Sequence, residues 1–248
     1  KYVYAPSHNY TNETVVGINF SSAVGTWSED SQMTNSHLFE SLTGWGDALG
    51  EIKFWKEFPS GPRKDATYNP KILEGNKEGG KLLDWWDESI PEQQPMFCAF
   101  TISEDGGDYD YTNPANTSLM TNDHRHRLIR YSEVLLWYAE AQARADGTPN
   151  AMAYECINQV RERAGLTAEN NIDLDIILKE SACEMFGNGY RRMDLRRTGK
   201  LVEYNDKYNP HMIGTAAATI GEKLLWPIPQ AAIDANGQLS MEDQNPGY

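Results

Sequence analysis

The stretch from Arg127 to Leu166 constrains the fold more than any other, because it encodes two alanine-rich helices with almost no connection between them. In the first helix, side chains recur at three- and four-residue steps, which places them on one helical face: Tyr131, Leu135, Tyr138, Gln142 and Ala145. Gly147 follows as a left-handed C-terminal stop. Thr148 and Pro149 then predict the N-cap and the first turn of a second helix.

The second helix of this hairpin carries its own stripe of small and apolar residues, which we expect to face inward: Ala153, Cys156, Ile157, Val160 and Ala164. Gly165 ends it. Such an antiparallel pair is typical of tetratricopeptide-like repeats, which bury little surface unless a neighbour covers them. The sequence holds no second copy of the pattern. The hairpin therefore packs either on irregular structure of this chain or on neighbours outside it.

The sequence as a whole predicts a mainly helical fold with long irregular loops and minor β structure. Residues 1–122 lack helical periodicity, although ETVVGINFSS predicts one apolar strand with alternating faces. Residues 123–200 are helical, and Asp173 is a plausible N-cap. Residues 201–248 predict an extended tail, because prolines force extended backbone there. No low-complexity linker interrupts the chain, so we predict a single domain of residues 1–248.

Charge and hydropathy narrow the classes of partner. The net charge of −14 argues against nucleic acid and against an anionic lipid surface. No apolar run approaches the roughly 20 residues of a membrane-spanning helix. No signal segment begins the sequence, so we expect a mature chain or a piece of a longer one. Two of the three cysteines, Cys156 and Cys183, lie at apolar helical positions, where we expect buried free thiols.

No positive feature of an enzyme is present. The five histidines show no metal-binding spacing, and neither Gly-x-Ser-x-Gly nor a phosphate loop occurs. With 36 Asp and Glu residues, some pair of carboxylates is inevitable, so a pair alone does not indicate a glycosidase. The acidic segment EDGGDYD offers oxygen ligands for calcium, but we interpret it as a solvated turn because its spacing does not fit an EF-hand. We expect no catalysis, no metal and no cofactor.

Several motifs, in the correct order along the chain, resemble the SusD/RagB family. RYSEVLL, YAEA and NQVRERAGL resemble the last repeat hairpin of that family. EMFGNGYRRMDLRRTGKL resembles its Glu-Leu-x-Phe-Glu-Gly-x-Arg-x-x-Asp-Leu-Arg-Arg element, with Gly187 and Asn188 in place of Phe-Glu. WPIPQAAIDAN and the terminal QNPGY resemble its C-terminal signature. FPSGPRKDATY resembles its Asp-x-Arg segment, with Gly61 in place of the Asp. NETVVGINF resembles the strand that opens its C-terminal half.

The resemblance implies the C-terminal half of a non-catalytic protein of the outer-membrane cell surface. Such proteins capture nutrients, usually glycans, and deliver them to a TonB-dependent, SusC-like transporter. They carry a preceding half with the other repeats and a lipidated N-terminal Cys, so the only membrane contact would be a lipid anchor outside this chain. The alternative is an interaction module that docks the transporter partner, while the missing half carries the ligand.

Aromatic residues in the loop-rich part are the candidate ligand contacts, because aromatic faces cover the C–H surfaces of sugars while polar side chains satisfy the hydroxyls. Trp27 and Trp45 flank a polar stretch with few core-forming residues. They lie at about the depth where members of the resembled family place ligand-stacking aromatics. The alternative for each is packing against the helical layer.

Two further aromatic pairs are weaker candidates. Trp85 and Trp86 point to opposite sides of an extended chain, so at most one of them faces a ligand, and we select Trp85. Tyr109 and Tyr111 alternate with acidic residues and share a face.

The basic segment YRRMDLRR invites a phosphate-binding interpretation, but we favour a structural one. Asp194 and a neighbouring arginine would form a buried charge-paired brace with Glu184 or Glu180, because an unpaired buried charge is costly.

Overall fold

The computed structural model describes most of the chain, in these segments: residues 8–21, 23, 45–69, 71–73, 81–97, 125–186, 190–221 and 223–248. The chain divides into two compact units, residues 1–188 and 189–248, and the single domain expected from the sequence stays a prediction.

The described part of the first unit is mainly helical. Its helices are α1 (Ile52–Glu57), α2 (Pro62–Thr67), α3 (Tyr131–Asp146), α4 (Ala151–Arg163) and α5 (Leu174–Glu184). Its strands are β1 (Thr14–Asn19), β2 (Tyr68–Asn69), β3 (Lys71–Leu73), β4 (Leu82–Asp84), β5 (Met96–Phe97) and β6 (Arg125–Arg130). The strands pair antiparallel in two-stranded sheets: β1 with β6, β2 with β5, and β3 with β4. The predicted fold class, mainly helical with minor sheet, is confirmed.

Helices α1 and α2 lie in the part of the chain that was predicted to lack helix. Each has only six residues, fewer than two turns, which is too short to display a helical period. Local caps fix them instead. The Glu51 carboxylate accepts hydrogen bonds from the Lys53 and Phe54 amides at 2.9 and 2.6 Å, and Pro62 occupies the first turn of α2.

The predicted strand forms as β1, but its apolar residues do not alternate between a buried and an exposed face. Val15, Val16 and Ile18 are all exposed. Register shifts on either side of Val16 disturb the alternation along the pairing with β6.

Helices α3 and α4 form the predicted hairpin. Gly147, with a φ of 77°, ends α3 as expected, and Gly165, also at 77°, follows the end of α4. Helix α4 begins two residues later than predicted. Its N-cap is Asn150, whose side chain accepts a hydrogen bond from the Ala153 amide at 2.9 Å, so Thr148 lies before the cap.

The hairpin packs on α5, which supplies a neighbour from within this chain. Their shared core contains Leu136, Ala139, Ala143, Ala153, Cys156, Ile157, Val160, Ile172 and Ile177. The stripe of α4 that was predicted to face inward is buried throughout. Asp173 caps α5 as predicted, since its Oδ1 accepts from the Ile176 amide at 2.8 Å. Cys156 and Cys183 are buried free thiols, and burial raises the pKa of Cys156.

Helix α3 carries a second, exposed face. The buried residues are Ser132, Glu133, Leu136, Ala139, Glu140 and Ala143, which do not belong to the stripe identified from the sequence. Two members of that stripe instead join an exposed seam, which consists of Tyr131, Val134, Trp137 and Tyr138. Both stripes have helical spacing and mix apolar with polar residues, so the periodicity alone does not determine which one faces the core.

The second unit is built from short helices: α6 (Arg191–Arg197), α7 (Leu201–Tyr208), α8 (Ala216–Ile220), α9 (Gln230–Ala235) and a 3-10 turn at Met241–Asp243. Helix α6 lies in the part predicted to be helical, but the predicted extended tail of residues 201–248 is wrong over α7, α8 and α9, which have eight residues or fewer and show little period. It holds for the segment before α9, where Pro229 has a ψ of 135°.

Side-chain hydrogen bonds join the terminal QNPGY motif to the WPIP motif. Gln244 Oε1 accepts from the Ile228 amide at 2.7 Å, and its Nε2 donates to the Ile228 carbonyl at 3.0 Å. Asn245 Nδ2 donates to the Trp226 carbonyl at 2.6 Å. The two motifs therefore form one structural element.

We predict that Gln244→Ala destabilises this element by about 1–2 kcal/mol. The substitution removes the hydrogen-bond partner of the Ile228 amide and that of the Ile228 carbonyl. Hydrogen exchange at the Ile228 amide should accelerate correspondingly. Gln238→Ala, at an exposed position of the same unit, is the control and should leave that exchange unchanged. Equal exchange in the two variants would contradict the prediction.

Candidate ligand-binding surface

Two of the five candidate aromatic residues lie in described segments. Trp45 is 42% exposed and stands in the irregular segment that leads into α1. Trp85 is 4% exposed. The other three, Trp27, Tyr109 and Tyr111, lie outside the described residues, as does the acidic segment EDGGDYD.

The selection of Trp85 needs correction, because a ring so deeply buried offers no face to a ligand. Residues 85 and 86 lie in a turn after β4, not in an extended strand. The two indoles do take different environments, as expected, but Trp86 is the exposed member at 49%. Sequence alone does not say which of two adjacent tryptophans a turn directs inward.

Trp55, Trp85 and Trp86 form a tryptophan cluster between α1 and this turn. The ring centroids of Trp55 and Trp85 are 5.0 Å apart, and those of Trp85 and Trp86 are 5.1 Å apart, both in edge-to-face geometry. Trp55 and Trp86 are 5.7 Å apart with tilted planes. Lys64 Nζ lies 4.4 Å from the centroid of the Trp55 ring, a cation–π contact, and burial lowers the pKa of this amine.

The turn that carries Trp86 is held by local hydrogen bonds. The Asp87 amide donates to the Asp84 carbonyl at 2.9 Å, and the Ser89 amide and hydroxyl donate to Asp87 Oδ1 at 3.0 and 2.6 Å. These bonds from Ser89 lower the pKa of the Asp87 carboxyl. Lys71 and Asp84 form a 2.7 Å ion pair across the β3–β4 hairpin from which the turn leaves. These hydrogen bonds and this ion pair stabilise the turn that carries Trp86.

Sequence reasoning missed Trp55 altogether. It lies in α1, which is too short to show a period, and its contacts with Trp85 and Trp86 join segments that are distant in sequence. No local pattern in the chain marks such a contact.

A second feature is a cluster of charges around two buried carboxylates, here called the brace. It consists of Glu180 and Glu184 from α5 and four arginines from other elements: Arg63, Arg130, Arg161 and Arg163. Glu180 accepts hydrogen bonds from Arg63 Nη1 at 2.6 Å and from Arg161 Nη1 at 2.9 Å.

Glu184 is the centre of the brace. Its carboxylate accepts from Arg63 Nη1 at 3.2 Å, from Arg130 Nη1 at 3.3 Å and from Arg163 Nη2. Burial by itself would raise the pKa of this carboxyl, but Arg130, Arg163 and Arg63 together hold it below its usual range. Arg130 Nη2 also donates to the Glu184 carbonyl at 2.6 Å.

The brace expected from the sequence thus exists, with a correction to its members. Glu180 and Glu184 pair with arginines from α2, α4 and β6, whereas Asp194 pairs with Arg197 one turn away in α6, at 2.9 Å. Protein donors bind all four carboxylate oxygens of the brace, which thereby joins four elements of the fold.

Within the described segments, no group of three or more His, Cys, Asp or Glu side chains is placed to hold a metal ion. The helices of those same segments include none with the length and apolar character needed to cross a bilayer.

Comparison with known proteins supports the resemblance seen in the motifs. The profile of the SusD family matches residues 106–248. The SusD-like protein P38 of Formosa agariphila is 27% identical over 191 residues, which cover 72% of this chain and 36% of that protein.

Solved structures give the same answer for the fold. A SusD superfamily protein from Parabacteroides distasonis has a TM-score of 0.64 and 22% identity, covering 99% of this chain and 52% of that one. A SusD homolog from Bacteroides thetaiotaomicron has a TM-score of 0.54 and 25% identity, covering 79% and 42%. A laminarin binding SusD-like protein has a TM-score of 0.59 and 20% identity, covering 98% and 51%. The chain spans about half the length of these solved structures.

Proposed function

Since the chain belongs to the SusD/RagB family, we propose that it is the glycan-binding part of a non-catalytic cell-surface protein of the outer membrane, which delivers its ligand to a TonB-dependent transporter. The family match over residues 106–248 carries this proposal. The laminarin binding of one structural relative supports a glycan as the nutrient.

The setting of Trp45 supports a ligand role for the segment before α1. Its indole is exposed, and the segment is anchored a few residues later, where the Gly50 amide donates to the Pro95 carbonyl at 2.7 Å. Glu51 then caps α1. An exposed ring on an anchored loop presents an apolar face at little cost in conformational entropy, which favours stacking on a sugar.

The alternative function, a module that docks the transporter partner, is favoured by the exposed seam of α3. Four large side chains that recur at helical steps on one exposed helix face form a surface suited to a protein partner. In that case the ligand contacts would lie mainly in residues outside this chain.

Affinity electrophoresis in gels that contain laminarin, xyloglucan or amylopectin tests the proposal. We expect at least one of these polysaccharides to retard the protein, and Trp45→Ala and Trp27→Ala each to weaken that retardation about tenfold, the loss typical of one stacking contact. Trp226→Ala removes a 69% exposed indole from the second unit and is the matched control.

Three outcomes would count against the proposal. Retardation that persists unchanged in both variants would favour the docking module, and retardation by none of the polysaccharides would contradict glycan binding. Release of reducing sugar from a bound polysaccharide by the purified protein would contradict the non-catalytic assignment.

A further inference from the structure

Trp86 is half exposed in a turn whose hydrogen bonds do not require an indole. It lies in a turn, where a small polar residue would leave the hydrogen bonds of Asp87 and Ser89 intact, since these use the backbone and their own side chains. Single exposed apolar residues are common on protein surfaces, so exposure alone indicates nothing. A role for Trp86 is indicated instead by the set of contacts around its ring.

The Trp86 ring is fixed by its neighbours. Trp85 meets it edge to face at 5.1 Å and Trp55 meets it at 5.7 Å, so two indoles, one of them buried, restrict its rotation. Trp55 is itself packed against a buried aromatic core and contacts Lys64. A flat ring that is already immobile loses little entropy when a ligand stacks on it.

The surroundings of Trp86 determine which ligand fits. The segment from Trp85 to Phe97 contains three acidic residues, Asp87, Glu88 and Glu92, and no basic one, within a chain of net charge −14. The basic residue in contact with the cluster, Lys64, lies over the Trp55 ring. Carboxylate oxygens accept hydrogen bonds from hydroxyl groups, whereas they repel uronate or sulfate groups. The ligand is therefore an uncharged polyol with an apolar face.

We infer that Trp86, supported by Trp55, is a stacking surface for one pyranose ring of a neutral glycan, additional to the contacts proposed on the loop of Trp45. A pyranose with mostly equatorial hydroxyls exposes axial C–H groups on its faces, and such a face matches one indole in size and polarity. The inference rests on the proposed glycan-binding function and adds to it a residue and a charge preference.

The test uses the full chain and four polysaccharides: the neutral laminarin, xyloglucan and amylopectin, and the anionic polygalacturonate. We expect Trp86→Ala to weaken retardation by the neutral polysaccharide that binds the wild type about five- to tenfold, and Trp86→Phe to retain most of the affinity. Trp226→Ala is the control, because its indole is exposed, at 69%, and lies in the second unit, outside both the tryptophan cluster and the seam of α3.

A measurement on the wild type makes the result independent of any loss of folding in the variants. In 1H–15N spectra, the indole N–H signal of Trp86, assigned with Trp86→Phe, should shift when the bound neutral polysaccharide is added and should not shift with polygalacturonate.

The outcomes separate this inference from the broader proposal. Binding that is weakened by Trp45→Ala, but not by Trp86→Ala, with no shift of the Trp86 signal, would overturn the inference alone. Binding of polygalacturonate only would overturn its charge preference and the role of Trp86. Binding of none of the four would overturn the inference together with the proposed function.

Discussion

Glu184→Gln is expected to lower the free energy of unfolding of the first unit by about 3–5 kcal/mol, the usual result of removing one charge from a buried ion pair. The substitution keeps the shape of the side chain but leaves Arg63, Arg130 and Arg163 around a neutral amide. The Arg130 side chain is only 4% exposed, so water cannot replace the lost carboxylate.

Urea unfolding monitored by circular dichroism measures this loss, and Glu203→Gln provides the control. Glu203 also forms an ion pair, with Lys200 at 3.0 Å, but its side chain is 59% exposed. A pair of that kind contributes about 1 kcal/mol at most. A Glu184→Gln variant that is no less stable than Glu203→Gln would show that the brace does not hold the fold.

The same carboxylate makes stability depend on pH with a definite sign. The arginines depress the pKa of Glu184 in the folded protein below its value in the unfolded chain, where the pKa of Glu is about 4.3. Its contribution is therefore fully present above that value, and it is lost as the pH falls through the lower, folded-state pKa. We expect the wild type to lose stability as the pH falls below about 4.3, and the loss to be smaller in Glu184→Gln.

How far the sequence predicts this fold depends on the range of the interactions. The ends of α3, α4 and α5 follow from Gly147, Gly165 and Asp173, because a cap or a left-handed stop acts within a few residues. The partners of Glu184 could not be predicted in this way. Arg63 and Arg130 reach it from distant parts of the chain, whereas the sequence offered an arginine next to Asp194 as a nearer partner.

The candidate site shows the same limit. The aromatic composition of the loop-rich part directed attention to residues 85 and 86, but the turn decides which ring is buried. Adjacent tryptophans have equal hydrophobicity, so only the packing of Trp85 against α1, through Trp55, separates a core residue from a surface one. The two stripes of α3 differ in burial for the same reason, namely that α5 covers only one of them.

The exposed seam of α3 leads to the last prediction, which is that the 248-residue chain self-associates in solution. Tyr131, Val134 and Tyr138 recur at three- and four-residue steps, the spacing of a helix–helix interface, with Trp137 beside them. Ala141 and Ala145 continue the stripe with side chains small enough for close approach of a second helix. An apolar stripe of this length is covered by another helix in repeat proteins.

Sedimentation equilibrium over a range of protein concentrations tests this, with the double substitution Val134→Glu and Tyr138→Glu as the decisive variant. Both side chains are exposed, so the charges should abolish association without loss of folding, whereas Met152→Glu, at a 50% exposed position on α4, should not affect it. A longer protein in which a further repeat covers the seam should melt several degrees higher, as burial of a repeat interface would produce. The prediction would be wrong if the chain stayed monomeric at high concentration and melted no lower than such a longer protein. Contacts within this chain, with α5 and with residues 1–122, would then be enough to stabilise the hairpin.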